Sequence, residues 1–172
     1  VCAQLEQTYQ YVMVDEYQDT NKIQEKIVFA FTKTHRNLVV VGDAYQSIYK
    51  FRGSDIKNIL EFPQRVGGCN VVTIDTNYRS NKEILDVANE VMDAHAHFGN
   101  KQVMKDAGNS GLKVTFSRPG NQEDEANQIL KSIKQWQADG KNLSEYAVLE
   151  RTSKSSSNLE IKLTKEGIPF EK

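Results

Sequence analysis

Two carboxylates stand side by side at the end of a short apolar run, Val12-Met13-Val14-Asp15-Glu16-Tyr17-Gln18-Asp19. A run of this kind reads as a buried strand, and in open α/β sheets ligands bind beyond the carboxyl ends of the strands. Asp15 at such an edge suits Mg2+, which takes oxygen ligands and usually keeps several waters. Glu16 beside it is placed to orient or deprotonate a water attacking a phosphoanhydride. The same pair also fits a solvated turn or a helix cap.

A second apolar run, Val39-Val40-Val41-Gly42-Asp43, leads into Ala44-Tyr45-Gln46-Ser47-Ile48-Tyr49-Lys50-Phe51-Arg52-Gly53. The Gln46 amide is suited to sensing a phosphate oxygen. Tyr49, Phe51 and Arg52 combine two aromatic faces with a cation, a mixture that binds single strands, because bases stack on rings without sequence preference and Arg neutralises phosphate. The alternative is that Ile48, Tyr49 and Phe51 form core beneath a turn. In the third group, Thr76-Asn77-Tyr78-Arg79-Ser80 precedes a helix. A helix start favours anions, Arg79 there is placed to reach a transferring phosphoryl group, and Tyr78 offers a ring to a nucleobase. A plain exposed Tyr-Arg pair is the alternative.

These residues need elements to hold them. Short apolar runs alternate with longer amphipathic ones, the pattern of an α/β protein with a largely parallel sheet. Strands are expected at Tyr11–Asp15, Leu38–Gly42, Val71–Ile74, Leu112–Ser117, Tyr146–Arg151 and Ile168–Phe170. A helix from Asn21 to Thr34 would carry Ile23, Ile27 and Phe31 on one face, and a short one would start at Ser54. Ser80 with Glu83 three residues on reads as a capping box opening another. The helix Glu123–Ala138 has an acidic first turn and sets Trp136 in a core, and the last helix stops at Gly167 with Pro169 beyond. His95 to Gly111 reads as a linker or a lost insertion site. His95 and His97 alternate along a helix end and so diverge, and His35 reads as a charge at a helix C-terminus.

Composition narrows the class. The chain has 172 residues, 38% of them hydrophobic and 26% charged, which fits a folded globular chain. Its net charge of −1 excludes a strongly basic nucleic-acid-binding domain, so any such contact must be local. No apolar run approaches the ~18 residues of a membrane-spanning helix. Cys2 and Cys69 lack metal-ligand spacing, and this pattern points to a reducing, cytoplasmic setting.

In order and spacing, VDEYQDTN, VVGDAYQSIYKFRGS and TNYRS resemble motifs II, III and IV of the UvrD, Rep and PcrA group of superfamily 1 DNA helicases. The resemblance extends from Val114 through the Trp136 helix to Ala147–Arg151 and Gly167-Ile168-Pro169-Phe170. It implies a RecA-like motor fold, with residues 1–78 the later half of a first motor domain and 79–172 the start of a second. It implies ATP and Mg2+ as cofactors, Mg2+ held by Asp15 through water, and Glu16 as the group activating water. Gln46 would contact the γ-phosphate, Tyr78 would pack on adenine and Arg79 would act as an arginine finger. Tyr49, Phe51 and Arg52 would line the single-strand path, with Phe51 where many relatives carry Trp. The partners implied are single-stranded DNA, duplex junctions and the remaining motor domains.

No Gly-x-x-x-x-Gly-Lys-Ser/Thr loop occurs, so an amide cradle for the β and γ phosphates is missing from these residues. The expectation is a piece of an ATP-driven DNA helicase or translocase that is inactive alone. Alternatives are a helicase-nuclease subunit, a HelD-like motor acting on RNA polymerase, or a non-catalytic module that binds nucleic acid or a partner.

Overall fold

The computed structural model describes residues 2–94, 103–152 and 157–172. They fall into two compact units, residues 1–112 and 113–172.

The first unit begins with α1 (Cys2–Thr8), followed by β1 (Val12–Val14), α2 (Lys22–Phe31) and β2 (Leu38–Val40). The two strands pair in parallel, with Val12 opposite Leu38 and Val14 opposite Val40. The Val41 amide donates to the Val14 carbonyl at 2.8 Å and the Tyr17 amide to the Val41 carbonyl at 2.9 Å, so the ladder continues into both loops. The result is a strand–helix–strand unit whose two strands end at the same edge, as the alternating sequence pattern predicts.

A capping box opens α2. The Asn21 carboxamide oxygen accepts the Ile23 and Gln24 amides, each at 2.9 Å, and the Gln24 side chain accepts the Asn21 amide at 2.9 Å. The face turned inward is not the expected one. Ile23 and Ile27 are exposed, whereas Glu25 is buried beside Tyr17 and Phe62 of α4 (Phe62–Arg65), which follows the short α3 (Lys57–Leu60). Phe62 meets Tyr17 edge-on at 5.4 Å and stacks with Phe29 at 6.4 Å, and this aromatic contact selects the face. His35 lies past the end of α2 in a turn with left-handed Arg36 (φ 56°). Its Nδ1 accepts the Asn37 amide at 3.0 Å, so the ring serves that turn and not the helix terminus.

Beneath this layer lies a polar network. Arg65 donates to Glu25 at 2.6 Å, to Asn58 at 3.3 Å and to Glu61 at 2.9 Å, and the Tyr17 hydroxyl donates to Glu25 at 3.4 Å. Burial first, then the Glu25 charge, pushes the Tyr17 phenol up to about 12 from its ordinary value of 10.0. The raised value means that the unfolded chain ionises first. Stability is therefore full below pH 10.0 and falls as pH rises toward 12. A shift of this size corresponds to about 2 to 3 kcal/mol. Tyr17→Phe should abolish that alkaline loss, read as the difference between wild-type and variant urea midpoints across this range.

Later in the same unit, β3 (Thr76–Asn77) pairs in parallel with β4 (Lys105–Asp106), and α5 (Lys82–Ala94) lies between them in sequence. Asn89 fixes β4 by donating to the Met104 carbonyl at 3.0 Å and accepting its amide at 3.2 Å. Part of the expected linker is thus ordered as a strand. His95 and His97 lie outside the described residues. The Ser80–Glu83 box does not form. Glu83 accepts the Gly111 amide at 2.9 Å instead. Val71–Ile74 is irregular, with Val71, Val72 and Ile74 all exposed, and the paired strand starts two residues later. Leu112–Ser117, Tyr146–Arg151 and Ile168–Phe170 are irregular too. Strand backbone exists only where a neighbour completes its ladder, and among the described residues these segments have none.

In the second unit, Asn121 caps α6 (Gln122–Ala138) by accepting the Asp124 amide at 2.8 Å. Ala126 and Ile133 pack against Leu159 and Leu163 of α7 (Ser157–Lys165) and against Ile168. The end of α7 is a Schellman motif: Ile168 donates to Leu163 at 3.0 Å and Gly167, at φ 65°, donates to Thr164 at 3.1 Å. Trp136 lies at the rim and not in the core. Its indole donates to the Asn142 carbonyl at 2.8 Å, its ring meets Tyr146 edge-on, and Lys141 sits 4.1 Å from the ring centre. Among the described residues, no helix is long and apolar enough to cross a membrane.

Candidate nucleotide and nucleic-acid site

β1 and β2 both end in loops that carry the expected polar groups. Asp15 and Glu16 follow β1 directly and are exposed. The Asp15 carboxylate accepts the Glu16 amide at 2.9 Å, and Glu16 adopts a left-handed conformation (φ 51°, ψ 41°). Few residues other than glycine adopt this backbone, which costs about 1 to 2 kcal/mol relative to the right-handed form.

Across from it, Asp43 caps a single turn of 3-10 helix, Ala44–Gln46, by accepting the Tyr45 amide at 2.9 Å. The other Asp43 carboxylate oxygen accepts from the Gln46 side chain at 2.8 Å. The loops are joined by Gln18, which is 1% exposed. Its amide nitrogen donates to Glu16 Oε2 at 2.7 Å and its amide oxygen accepts the Asp43 backbone N–H at 3.1 Å. Asp15, Glu16 and Gln46 therefore belong to one hydrogen-bonded cluster.

Next along the chain, the Arg52 guanidinium carbon lies 5.1 Å from the Tyr49 ring centre and 5.5 Å from that of Phe51. The two rings are 5.9 Å apart. Phe51 is 78% exposed and Ile48 70%, so the core alternative does not hold for them; Tyr49 is half-buried. Gly53, left-handed at φ 84°, ends the turn that presents this cluster.

Tyr78 and Arg79 are exposed on an Asn77-centred turn, in which the Asn77 side chain accepts the Arg79 and Ser80 amides at 2.9 and 2.8 Å. No hydrogen bond or ion pair among the described residues joins the side chains of Tyr78 and Arg79 to the Glu16 cluster. Gln18 and Asp43 were not foreseen as site residues. The available signal was an amide bracketed by carboxylates, Glu16 and Asp19, on a turn between buried elements.

Among the described residues no group of three or more His, Cys, Asp or Glu side chains could hold a metal ion. A carboxylate such as Asp15, exposed and with only one oxygen engaged, nevertheless fits Mg2+, which binds through one or two carboxylates together with substrate phosphates.

Parallel strands that end together in carboxylate and amide loops define a mixed α/β chain of the RecA-like motor type. Residues 1–67 match the UvrD/REP helicase N-terminal domain and residues 72–172 the UvrD-like helicase C-terminal domain; the chain belongs to the UvrD-like helicase family. It is 41% identical over 162 residues to an ATP-dependent DNA helicase PcrA of Staphylococcus epidermidis, covering 94% of this chain and 22% of that protein. The PcrA of Leuconostoc citreum is 40% identical over 172 residues, 99% of this chain and 23% of that protein. Identity to the PcrA of Staphylococcus aureus is 39% over 162 residues. The chain thus spans under a quarter of the length of these relatives.

Proposed function

We propose that the chain works as part of a larger ATP-driven motor that moves along single-stranded DNA and opens duplex junctions. Residues 1–78 would complete a first motor domain and 79–172 begin a second; the two family matches meet nearby, between residues 67 and 72. The observation that carries the reading is the hydrogen-bonded cluster of Glu16, Gln18, Asp43 and Gln46, followed at once by the exposed Tyr49–Phe51–Arg52 group. Nucleotide chemistry and strand binding thus sit on consecutive loops, the proximity that coupling requires.

In this reading Asp15 would hold Mg2+ through water, and the ion, when bound, would neutralise phosphate charge. Glu16 takes a proton from the attacking water, Gln46 senses the γ-phosphate and Arg79 and Tyr78 address the nucleotide. The phosphate loop and the other motor domains come from the rest of the complete protein, which works in the cytoplasm.

The strand contact is tested by titrating the complete protein with single-stranded DNA at several salt concentrations. Stacking is worth about 1 to 3 kcal/mol per base, so Phe51→Ala should weaken binding about 5- to 150-fold. The salt slope should stay unchanged, and so should the melting temperature, because the ring is exposed. Arg52→Ala removes a phosphate contact and should flatten the slope of log affinity against log salt by about 0.7. Full affinity in both variants would remove this cluster from the strand path.

A further inference from the structure

We propose that Gln18 is a positioning residue for hydrolysis: its buried amide fixes the Glu16 carboxylate and ties it to the loop carrying Gln46. The inference rests on the functional reading of Glu16 and adds to it a residue that does not touch the reacting atoms.

The chemistry of the amide leaves one arrangement. The nitrogen must face an acceptor and finds Glu16 Oε2 at 2.7 Å, with Asp19 Oδ2 more distant at 3.5 Å. The oxygen must face a donor and finds the Asp43 N–H at 3.1 Å. Turning the amide over would set oxygen against carboxylate and NH2 against N–H. Both contacts are therefore made or both lost, and at 1% exposure water does not replace them.

The surrounding backbone is shaped to this amide. A Cβ on Gly42, two residues past β2, would lie 2.5 Å from Gln18 Oε1, 2.8 Å from Ile59 Cδ1 and 3.1 Å from the Tyr17 nitrogen, so a larger residue there would push this amide from its place. Ser47 adds a bond from its hydroxyl to the Gln18 carbonyl at 3.4 Å. Glu16 Oε2 is occupied by Gln18, and Oε1 makes no hydrogen bond among the described residues. One carboxylate oxygen is anchored and the other is left for water. Because Asp43 also accepts from Gln46, a shift of the Gln46 loop reaches Glu16 through two hydrogen-bonded side chains.

The test is a double-mutant cycle on turnover in the complete protein. Gln18→Met keeps length and removes both polar contacts. Gln18→Glu keeps the acceptor for Asp43 and replaces the donor to Glu16 with a like charge. A displaced reacting group costs up to about 100-fold, so each variant should lower kcat about 10- to 100-fold with KM for ATP nearly unchanged. In a Glu16→Gln background the same changes should have no further effect, because a residue acting through Glu16 has nothing left to position. Melting temperatures are measured alongside; if Gln18→Met does not fold, Gln18→Glu carries the cycle. Unchanged kcat in the folded variants, or losses that multiply with Glu16→Gln, would overturn the proposal. Full turnover in Glu16→Gln alone would instead overturn the reading of Glu16 beneath it.

Discussion

Replacing Arg79 by alanine in the complete protein should slow ATP hydrolysis by about 10³- to 10⁵-fold, the range that arginine fingers contribute in nucleotide hydrolases. The geometry behind the expectation is local. Asn77 accepts two successive amides and so holds a tight turn, and this turn presents the exposed Arg79 just ahead of α5. Among the described residues no carboxylate pairs with its guanidinium, which stays available for a ligand. Fingers act on charge that develops during transfer, so nucleotide affinity should fall much less than kcat. Arg79→Lys keeps the charge but loses the planar fork, and should recover only part of the rate. Steady-state hydrolysis beside nucleotide titration checks the split. Equal losses in binding and turnover would make Arg79 a simple anion contact, and unchanged kinetics would remove it from the site.

Glu16→Gln should lower DNA-stimulated turnover about 10²- to 10⁴-fold, the range for loss of a general base. This substitution isolates proton handling. A glutamine at position 16 keeps an oxygen able to accept from Gln18 and so preserves the contact now 2.7 Å long, while it gives up the charge. ATP binding should persist, because Asp15 is untouched and phosphate repulsion from Glu16 is relieved. The variant should therefore accumulate as a nucleotide-bound protein that still engages single-stranded DNA. Single-turnover measurements separate this from slow product release, since the chemical step itself must be the slow one. A variant with ordinary single-turnover rates would assign Glu16 to the fold of the loop and leave the base elsewhere.

How much of this was legible in the sequence differs by element. The strand–helix–strand unit follows from apolar runs bounded by polar turns, and so does the delivery of Asp15 and Glu16 to a strand end. Gly167 followed by Pro169 marked the close of α7, because a left-handed residue and a proline are local necessities. What sequence left open depends on distant partners. The choice between the Ile23–Ile27 face of α2 and the Glu25–Phe29 face is made by Phe62 and Arg65, some forty residues on. The Ser80–Glu83 spacing was correct for a capping box, yet Glu83 turns to the Gly111 amide, while Asn21 and Gln24 form the box that was not anticipated. Val71–Ile74 is apolar and β-branched, but composition cannot supply the neighbouring strand. The role of Gln18 was hidden for the same reason: its two partners belong to different loops, one of them twenty-five residues away.

The left-handed backbone of Glu16 bears on how such a site would drift over generations. A glycine at that position would relax the backbone but leave the buried Gln18 amide without its acceptor, so strain and hydrogen bonding pull the fold in opposite directions there. A glutamine there would keep the acceptor and give up only the charge, so a lineage released from hydrolysis should drift at this position toward the amide before it drifts toward glycine.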